Sequence, residues 1–266
     1  MKASFICVNY NNSKVTIEFI LNVLGIKQNY DVKIIIVDNA SQEKDIDELD
    51  KYINDLNNNE VVLLKSSINL GYFRGLNLGI KWALDNGYNH YQIVGNNDLQ
   101  FLPDFLKQLE NTHLNDNELV LAPDVITSQG IHENPHVINK MSYLRKLKYD
   151  FFFCNYYLAK LITIFYSAER KPKAFDDKRK HIHMGIGALY VLTPNFFKHF
   201  DKLWDDVFLY GEEAILAGQI LSVNGKIVYE PMLKCNHMES LSTSKMETKY
   251  KFKVIQRSYK IYKKYL

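Results

Sequence analysis

The sequence has few of the features that mark several common protein classes. Its 266 residues include three cysteines, Cys7, Cys154 and Cys235, and no two of them form a CxxC pair. Isolated cysteines argue against a disulfide framework or a structural zinc site and favour a reducing compartment. No run approaches the roughly 20 apolar residues of a membrane-spanning helix. Because Asn9 cuts the first apolar strand short, we predict a cytoplasmic protein without a signal peptide.

The net charge is also small, but its distribution is uneven. The whole chain carries +3, whereas residues 140–180 hold 11 Lys and Arg against 4 Asp and Glu, and residues 245–266 hold 8 against 1. Each of these two segments therefore carries +7, and the remaining body carries −11. Because an acidic body repels phosphates, we expect no nucleic acid partner. We interpret the basic, aromatic-rich segments as contacts with an anionic membrane surface, on the inner face of the plasma membrane; solvated helices are the alternative.

Two hydrophobic periods alternate along the first hundred residues. Continuous apolar runs of strand length alternate with apolar residues spaced three and four apart, the pattern of an amphipathic helix. This order predicts an α/β fold with a Rossmann-like, mostly parallel central sheet flanked by helices. We find no internal repeat and no low-complexity linker, so we predict one domain over residues 1–240 and a basic tail over 241–266. The predicted strands are Ala3–Val8, Lys33–Val37, Val61–Lys65 and Tyr91–Gly95, and the predicted helices are Val15–Leu24, Glu43–Leu56 and Gly75–Leu84.

Polar side chains follow three of these strands at their carboxyl ends, where parallel sheets bind ligands. Asp38 can accept a hydrogen bond from the N–H of a uracil or thymine ring or from a ribose hydroxyl, although it also suits a helix N-cap. Asp98, with amide neighbours, suits Mg²⁺ or Mn²⁺, although such triplets also form ordinary turns. The clustered residues are Asn9, Tyr10 and Asn11, then Asp38, Asn39 and Ser41, then Asn96, Asn97 and Asp98.

A glycine-containing segment, Asn69-Leu-Gly-Tyr-Phe-Arg-Gly-Leu-Asn-Leu-Gly79, follows the third predicted strand. Its glycines allow close approach of the backbone to a ligand, and Arg74 suits contact with a diphosphate. The glycines are spaced by four residues, unlike GxGxxG, so the segment does not indicate a nicotinamide or flavin site. A purely structural role for these glycines is the alternative.

Four later residues suit chemistry as well. Glu212 and Glu213 are adjacent carboxylates, and repulsion with burial raises the pKa of one such group towards the range of a general base. An acidic first helical turn is the alternative. His237 suits a transition metal and Ser240 a phosphate, although a lone histidine is more often structural.

Taken in order, these segments resemble the family 2 inverting glycosyltransferases with a GT-A fold, particularly the bacterial rhamnosyl- and galactosyltransferases of surface polysaccharides. The resemblance covers residues 3–242. The matching segments are Val8-Asn-Tyr-Asn11, Val37-Asp-Asn-Ala-Ser41, Asn69 to Gly79, Gly95-Asn-Asn-Asp98, Gly185-Ile-Gly-Ala188, Phe208-Leu-Tyr-Gly-Glu-Glu213 and His237-Met-Glu-Ser240.

The resemblance implies transfer of a sugar, with inversion, from a UDP- or dTDP-sugar to a hydroxyl of a glycan or lipid-linked acceptor in capsule or lipopolysaccharide biosynthesis. Residues 1–100 would form the nucleotide-sugar-binding half and 101–240 the acceptor-binding half of one catalytic domain. Glu213 takes the place of the catalytic base, and Asp98 and His237 take the places of ligands for Mg²⁺ or Mn²⁺. The implied donor-binding residues are Asn9, Tyr10, Asn11, Asp38, Asn39, Arg74, Asn97 and Asp98, and the acceptor-binding or supporting residues are Gly187, Glu212 and Ser240.

The sequence departs from the family pattern at three positions. Asn96 replaces the first acid of the DxD metal motif, Glu213 replaces the usual Asp, and Ile215 stands where a further Asp is often found. Two alternatives therefore stay open. One is a non-catalytic nucleotide-sugar or glycan-binding relative; the other is a GT-A nucleotidyltransferase, which would need a glycine-rich phosphate loop where residues 9–12 stand.

Overall fold

The computed structural model describes residues 1–165, 173–238 and 248–266. The strands are β1 (Lys2–Asn9), β2 (Asp31–Asn39), β3 (Val61–Ser66), β4 (Tyr91–Gly95), β5 (Leu99–Phe101), β6 (Glu118–Thr127), β7 (Lys180–Ile182), β8 (Leu189–Leu192) and β9 (Lys226–His237). The helices are α1 (Ser13–Ile26), α2 (Glu43–Leu56), α3 (Tyr72–Asp85), α4 (Phe105–Glu110), α5 (Tyr143–Phe152), α6 (Tyr156–Phe165), α7 (Glu212–Ser222) and α8 (Thr248–Tyr262), with 3₁₀ turns at Phe196–Lys198 and Lys263–Tyr265.

The strands form one sheet in the order β3-β2-β1-β4-β8-β6-β9-β5, and β7 also pairs with β9. The first four strands are parallel to one another, and β8 then joins β4 in the antiparallel direction. The register places Asn9 beside Asp38 and Cys7 beside Gly95, so the carboxyl ends of β1, β2 and β4 meet at one edge. The predicted α/β fold with a parallel sheet in its first half is confirmed.

Helices cover both faces of the sheet because its strands are apolar on both sides. On one face, Phe5 of β1 meets Phe101 edge-on, with ring centroids 4.9 Å apart, beside Phe19 and Phe105. On the other face, Phe73 of α3 packs in a second core with side chains of α7. Each large apolar side chain that is fully buried stabilises the fold by about 1.5–3 kcal/mol. The two cores hold the strand ends, and the loops that follow them, in fixed positions.

The apolar segment that follows residue 150 forms two helices. The break falls at Asn155, whose Oδ1 accepts a hydrogen bond from the Tyr157 N–H at 2.8 Å and so begins α6. Apart from the buried Ala159, the described side chains of α5 and α6 are exposed or half-buried. In the described ranges, no helix combines the length and the apolar content needed to cross a membrane.

The described part of the basic tail is helix α8, which packs against the rest of the chain. Ser258 Oγ donates to the Leu209 carbonyl at 2.7 Å, and Tyr259 Oη donates to Asp150 Oδ1 at 3.0 Å. His183 Nε2 lies 2.9 Å from the Tyr265 carbonyl oxygen, just beyond the helix. The boundary at residue 240 stays a prediction, but residues 248–266 are in contact with the domain.

Candidate active site

A cleft of about 1590 Å³ opens at the carboxyl ends of the parallel strands. This volume exceeds the roughly 300–1,000 Å³ of a pocket for one small molecule, so the cleft has room for two substrates. Among the predicted site residues, its lining includes Tyr10, Asn39, Asn97, Asp98, Gly187, Glu212, Glu213 and His237. Asn9, Asn11, Asp38 and Arg74 lie outside that lining, and Ser240 lies outside the described residues.

Asn9 and Asp38 bind each other behind the cleft wall. Both side chains are buried, and Asn9 Nδ2 donates to Asp38 Oδ1 at 2.9 Å. The second oxygen of Asp38 accepts the Ser41 N–H at 3.1 Å. Asn11 Oδ1 accepts the Gln42 N–H at 2.7 Å from the neighbouring loop. These contacts fix the loops after β1 and β2, while a role of the three residues in donor binding stays a prediction.

Asn39 and the glycine segment join the first half of the chain to the segment that precedes α7. Asn39 Nδ2 donates to the Gly71 carbonyl at 3.0 Å, and its Oδ1 accepts the Leu70 N–H at 2.8 Å. Gly71 has φ +84°, and a Cβ there would lie 2.1 Å from the Phe208 carbonyl oxygen. Only glycine suits both conditions. Arg74 belongs to the same junction, since its Nε donates to the Asp205 carbonyl at 3.1 Å.

Asp98 and His237 meet in the lining of the cleft. His237 Nε2 lies 3.4 Å from Asp98 Oδ1, and His237 Nδ1 lies 3.0 Å from Glu133 Oε2. Burial lowers the pKa of His237, but hydrogen bonds and charges of the two carboxylates outweigh burial and raise that pKa to about 10. The imidazole is therefore cationic at neutral pH as it stands, and binding of a metal ion through Nε2 would release a proton.

The same residues fit a divalent cation. A separation of 3.4 Å suits two ligands of one ion, because oxygen and nitrogen ligands bind such ions at about 2.0–2.2 Å. Glu133 orients the imidazole from its far side, as carboxylates around metal-binding histidines usually do. Within the described parts of the chain, no three His, Cys, Asp or Glu side chains form a complete ion site. Further ligands would come from substrate phosphate and water, which is usual for Mg²⁺.

Helix α7 presents Glu212 and Glu213 to the cleft. Tyr210 and Gly211 have φ values of +70° and +92° and turn the chain sharply just before the helix. Glu213 packs against Gly187, whose backbone N–H hydrogen-bonds to the carboxylate. A Cβ on Gly187 would lie 2.6 Å from Glu213 Oε1. The carboxylate of Glu213 therefore has a defined place on the wall.

Burial sets the protonation of the two glutamates. Glu212 is 5% exposed, and burial together with the charge of Glu213 raises its pKa to about 8. Burial also raises the pKa of Glu213. Hydrogen bonds from the backbone N–H groups of Glu213 itself and of Gly187 lower that pKa, but burial outweighs them. The charge of Glu213 thus favours the protonated form of Glu212 near neutral pH.

Tyr72 lines the same cleft as Glu213 and Asp98. Its Oη donates to the Gly187 carbonyl at 3.1 Å. Burial raises the pKa of Tyr72 well above its usual value, and the charges of Glu212, Asp98 and Glu213 raise it further. The charges of Asp98 and Glu213 thus both act on the hydroxyl group of Tyr72. The structure brings the two predicted chemical groups to the same cleft.

Sequence reasoning missed Glu133, Tyr72 and the cleft residues of α8. Glu133 is positioned by Asn134, whose Nδ2 donates to the Pro123 carbonyl at 2.7 Å and whose Oδ1 accepts the Ile186 N–H at 2.9 Å. No local pattern around Glu133 signals this long-range arrangement. Tyr72 lies inside the glycine-containing segment, which is one of the segments that match the family, and this position could have indicated that Tyr72 belongs to the site. From α8 and the chain beyond it, the cleft is lined by Lys251, Ile255, Tyr262 and Leu266.

The family model described as "Glycosyl transferase family 2" matches residues 4–176 of the chain. Among curated proteins, the chain is similar to the low-salt glycan biosynthesis hexosyltransferase Agl10 of Haloferax volcanii. The two are 21% identical over 247 residues, which are 93% of this chain and 70% of that protein.

Solved structures share the fold at low identity. GalNAc-T7 with UDP, GalNAc and Mn²⁺ aligns with a TM-score of 0.65 and 14% identity, over 91% of this chain and 44% of that one. The mannosyltransferase PcManGT from Pyrobaculum calidifontis, in complex with GDP-Man and Mn²⁺, has a TM-score of 0.56 and 12% identity, over 91% and 58%. S. aureus TarS 1–349 has a TM-score of 0.55 and 12% identity, over 90% and 60%. The chain thus spans about half the length of these proteins, and the predicted GT-A-like fold is confirmed.

Proposed function

The chain belongs to glycosyl transferase family 2, and on that premise we propose that it transfers a sugar from a nucleotide diphosphate donor to a hydroxyl of a glycan or lipid-linked acceptor. A UDP- or dTDP-sugar is the proposed donor, and surface polysaccharide biosynthesis is the proposed setting. Complexes of the solved neighbours with UDP or GDP-Man and Mn²⁺ support a nucleotide-sugar donor and a divalent cation. Rhamnosyl or galactosyl transfer stays a prediction.

The observation that carries this proposal is that Glu213 and Asp98 line the same cleft. Glu213 is held by the Gly187 N–H, and Asp98 pairs with His237. A transferase needs a base beside the acceptor hydroxyl and charge neutralisation beside the departing diphosphate. The cleft holds both kinds of group and has room for both substrates.

In the proposed reaction, Glu213 accepts the proton of the acceptor hydroxyl. The hydroxyl oxygen forms a bond to the anomeric carbon as the bond from that carbon to the diphosphate breaks, and the nucleoside diphosphate leaves with the electron pair. A single displacement of this kind inverts the anomeric configuration. Asp98 and His237 would hold Mg²⁺ or Mn²⁺, which when bound neutralises charge on the leaving diphosphate.

A screen of nucleotide sugars tests the proposal. We expect one class of UDP- or dTDP-sugar, at about 100 times its Kd and with Mn²⁺ or Mg²⁺ present, to raise Tm by about 5–10 °C. The same donor should release nucleoside diphosphate when incubated with the protein and an acceptor. A rise in Tm without nucleoside diphosphate, across many donors and acceptors, would favour a non-catalytic binding relative. No shift with any donor would contradict the proposal.

Replacing Gly187 by alanine should impair turnover by displacing Glu213. The new Cβ would lie 2.6 Å from Oε1 and 3.0 Å from Cδ of Glu213, so the carboxylate must move. A displacement of about 1 Å at a reacting group can cost about 10²-fold in rate, and we expect a fall of about 10–10²-fold in kcat. Steady-state kinetics with saturating donor would measure this fall.

Gly25→Ala is the matched control, because a Cβ on Gly25 of α1 has nothing within 4 Å. Alanine is also a better helix former than glycine, so this variant should be slightly more stable, by about 0.5–1 kcal/mol, with unchanged kcat. An unchanged kcat in Gly187→Ala would show that the position of the Glu213 carboxylate does not limit the reaction.

A further inference from the structure

Helices α5 and α6 expose two apolar stripes to solvent. On α5 the stripe consists of Tyr143, Leu144, Leu147 and Phe151, and on α6 it consists of Tyr157, Leu161 and Ile164, with exposures between 45% and 73%. The spacing of three and four residues places each set on one side of its helix. We call these two stripes together the hairpin face. A run of exposed large apolar side chains this dense marks a surface that contacts a partner.

The hairpin face belongs to a basic segment of the chain. Residues 140–165 contain five Lys and Arg and one acid, Asp150, for a net charge of +4. The charge of Asp150 is paired, because its Oδ1 lies 2.9 Å from Lys263 Nζ. Among the described residues, Lys146, Lys148 and Lys160 form no ion pair and lie outside the lining of the cleft, so their charge stays available to an outside partner.

The back of the hairpin is occupied by α8, so the exposed stripes are the outer side. Phe252 of α8 packs against Phe152, Phe153 and Tyr156, with ring centroids 5.4–6.4 Å apart. Gln256 Nε2 donates to the Phe153 carbonyl at 2.6 Å, across the break between the two helices. These contacts hold α5 and α6 in place on the domain.

Helix α5 also connects the hairpin face with the cleft. Arg145 and Tyr149, one turn apart, line the cleft, whereas Leu147 and Phe151 belong to the exposed stripe. At 100° per residue, Leu147 lies about 160° around the helix axis from Arg145. A flat partner on the hairpin face would therefore lie one helix diameter, about 10 Å, from the acceptor side of the cleft.

We propose that the hairpin face is a docking surface for an anionic lipid bilayer, with the apolar stripes at the level of the lipid headgroups and acyl boundary. Cations beside apolar and aromatic side chains on surface helices are the composition that binds anionic membranes. A second copy of the chain is disfavoured, because it would bring two surfaces of the same basic segment together. Docking is independent of the transfer reaction; only its use, bringing a lipid-linked acceptor to the cleft, rests on the proposed function.

Flotation of the full chain with vesicles tests the docking surface. We expect the protein to float with vesicles of phosphatidylglycerol and phosphatidylcholine in equal amounts, to remain behind with phosphatidylcholine alone, and to be released by high salt. The variant Leu144→Asp with Leu161→Asp should bind the anionic vesicles at least about tenfold more weakly, because two apolar contacts are lost and two negative charges added.

The control variant Leu21→Asp with Leu221→Asp changes the net charge equally and also replaces two exposed leucines on helices. It should bind vesicles like the wild type. Equal losses in both variants, or no flotation of the wild type at low salt, would overturn the proposal. If the first variant does not fold, Lys148→Gln with Lys160→Gln should lose binding to anionic vesicles. Donor-induced Tm shifts without vesicles report the proposed function separately.

Discussion

Replacing Glu213 by glutamine should abolish sugar transfer while leaving donor binding intact. Glutamine keeps the shape of the side chain and its contact with Gly187, but it cannot accept the proton of the acceptor hydroxyl. Loss of a general base lowers the rate by about 10²–10⁴-fold, and we expect a fall of this size in kcat. Calorimetric titration with the donor should give a Kd close to that of the unchanged protein.

The control for this variant is Glu43→Gln. Glu43 stands in the first turn of α2, as Glu213 stands in the first turn of α7, but its side chain is exposed and away from the cleft. The same change of charge and shape there should leave kcat unaltered. Retained turnover in Glu213→Gln would remove Glu213 as the base.

The neighbouring glutamate does not compete for this role at neutral pH. Glu212 is buried, and its pKa of about 8 keeps most of it protonated near pH 7. A protonated carboxyl cannot take a proton from the acceptor hydroxyl. Glu213, whose carboxylate contacts Gly187 on the cleft wall, is therefore the better placed of the two to act as the base.

Much of the fold could be predicted from the first hundred residues because its signals are local. The helix Glu43–Leu56 and the strand Tyr91–Gly95 have the predicted boundaries, since apolar periodicity and flanking polar residues define them. Helix α3 begins three residues earlier than predicted, at Tyr72, because Gly71 ends the preceding loop in a left-handed conformation. Strand β9 runs from Lys226 to His237, through contacts with β6 that only the folded chain provides.

The candidate site could be predicted in part only. Asp98 could be predicted because it follows the end of a strand, and Glu213 because it is one of two adjacent carboxylates. Both signals are local in the sequence. Sequence spacing does not show which partner a side chain contacts. It therefore could not show that Asp38 binds Asn9 or that Arg74 binds the Asp205 carbonyl. The approach of Glu133 to His237 joins residues 104 positions apart and depends on packing of the whole domain.

Replacing Asp98 by alanine should remove the metal-dependent part of donor binding and most of the activity. Asp98 Oδ1 lies 3.4 Å from His237 Nε2, and the two are the proposed ligands of the cation. Without the carboxylate of Asp98, His237 keeps its contact with Glu133, but the cation loses one of its two proposed protein ligands. We expect kcat/KM to fall by about 10²–10³-fold, the cost of losing one electrostatic contact to developing charge. Calorimetric titration with Mn²⁺ alone gives a second readout that does not depend on turnover.

Asp116→Ala is the control, because the side chain of Asp116 is fully exposed and its distance to Lys198 is 3.9 Å. It should bind Mn²⁺ and donor like the unchanged protein. The decisive comparison is the effect of a chelator: it should weaken donor binding in the unchanged protein and in Asp116→Ala, and have little further effect in Asp98→Ala. Full activity of the unchanged protein in chelator would contradict the cation site. The charge of Asp98 would then act by raising the pKa of His237, which is about 10. The cationic imidazole would bind the diphosphate directly.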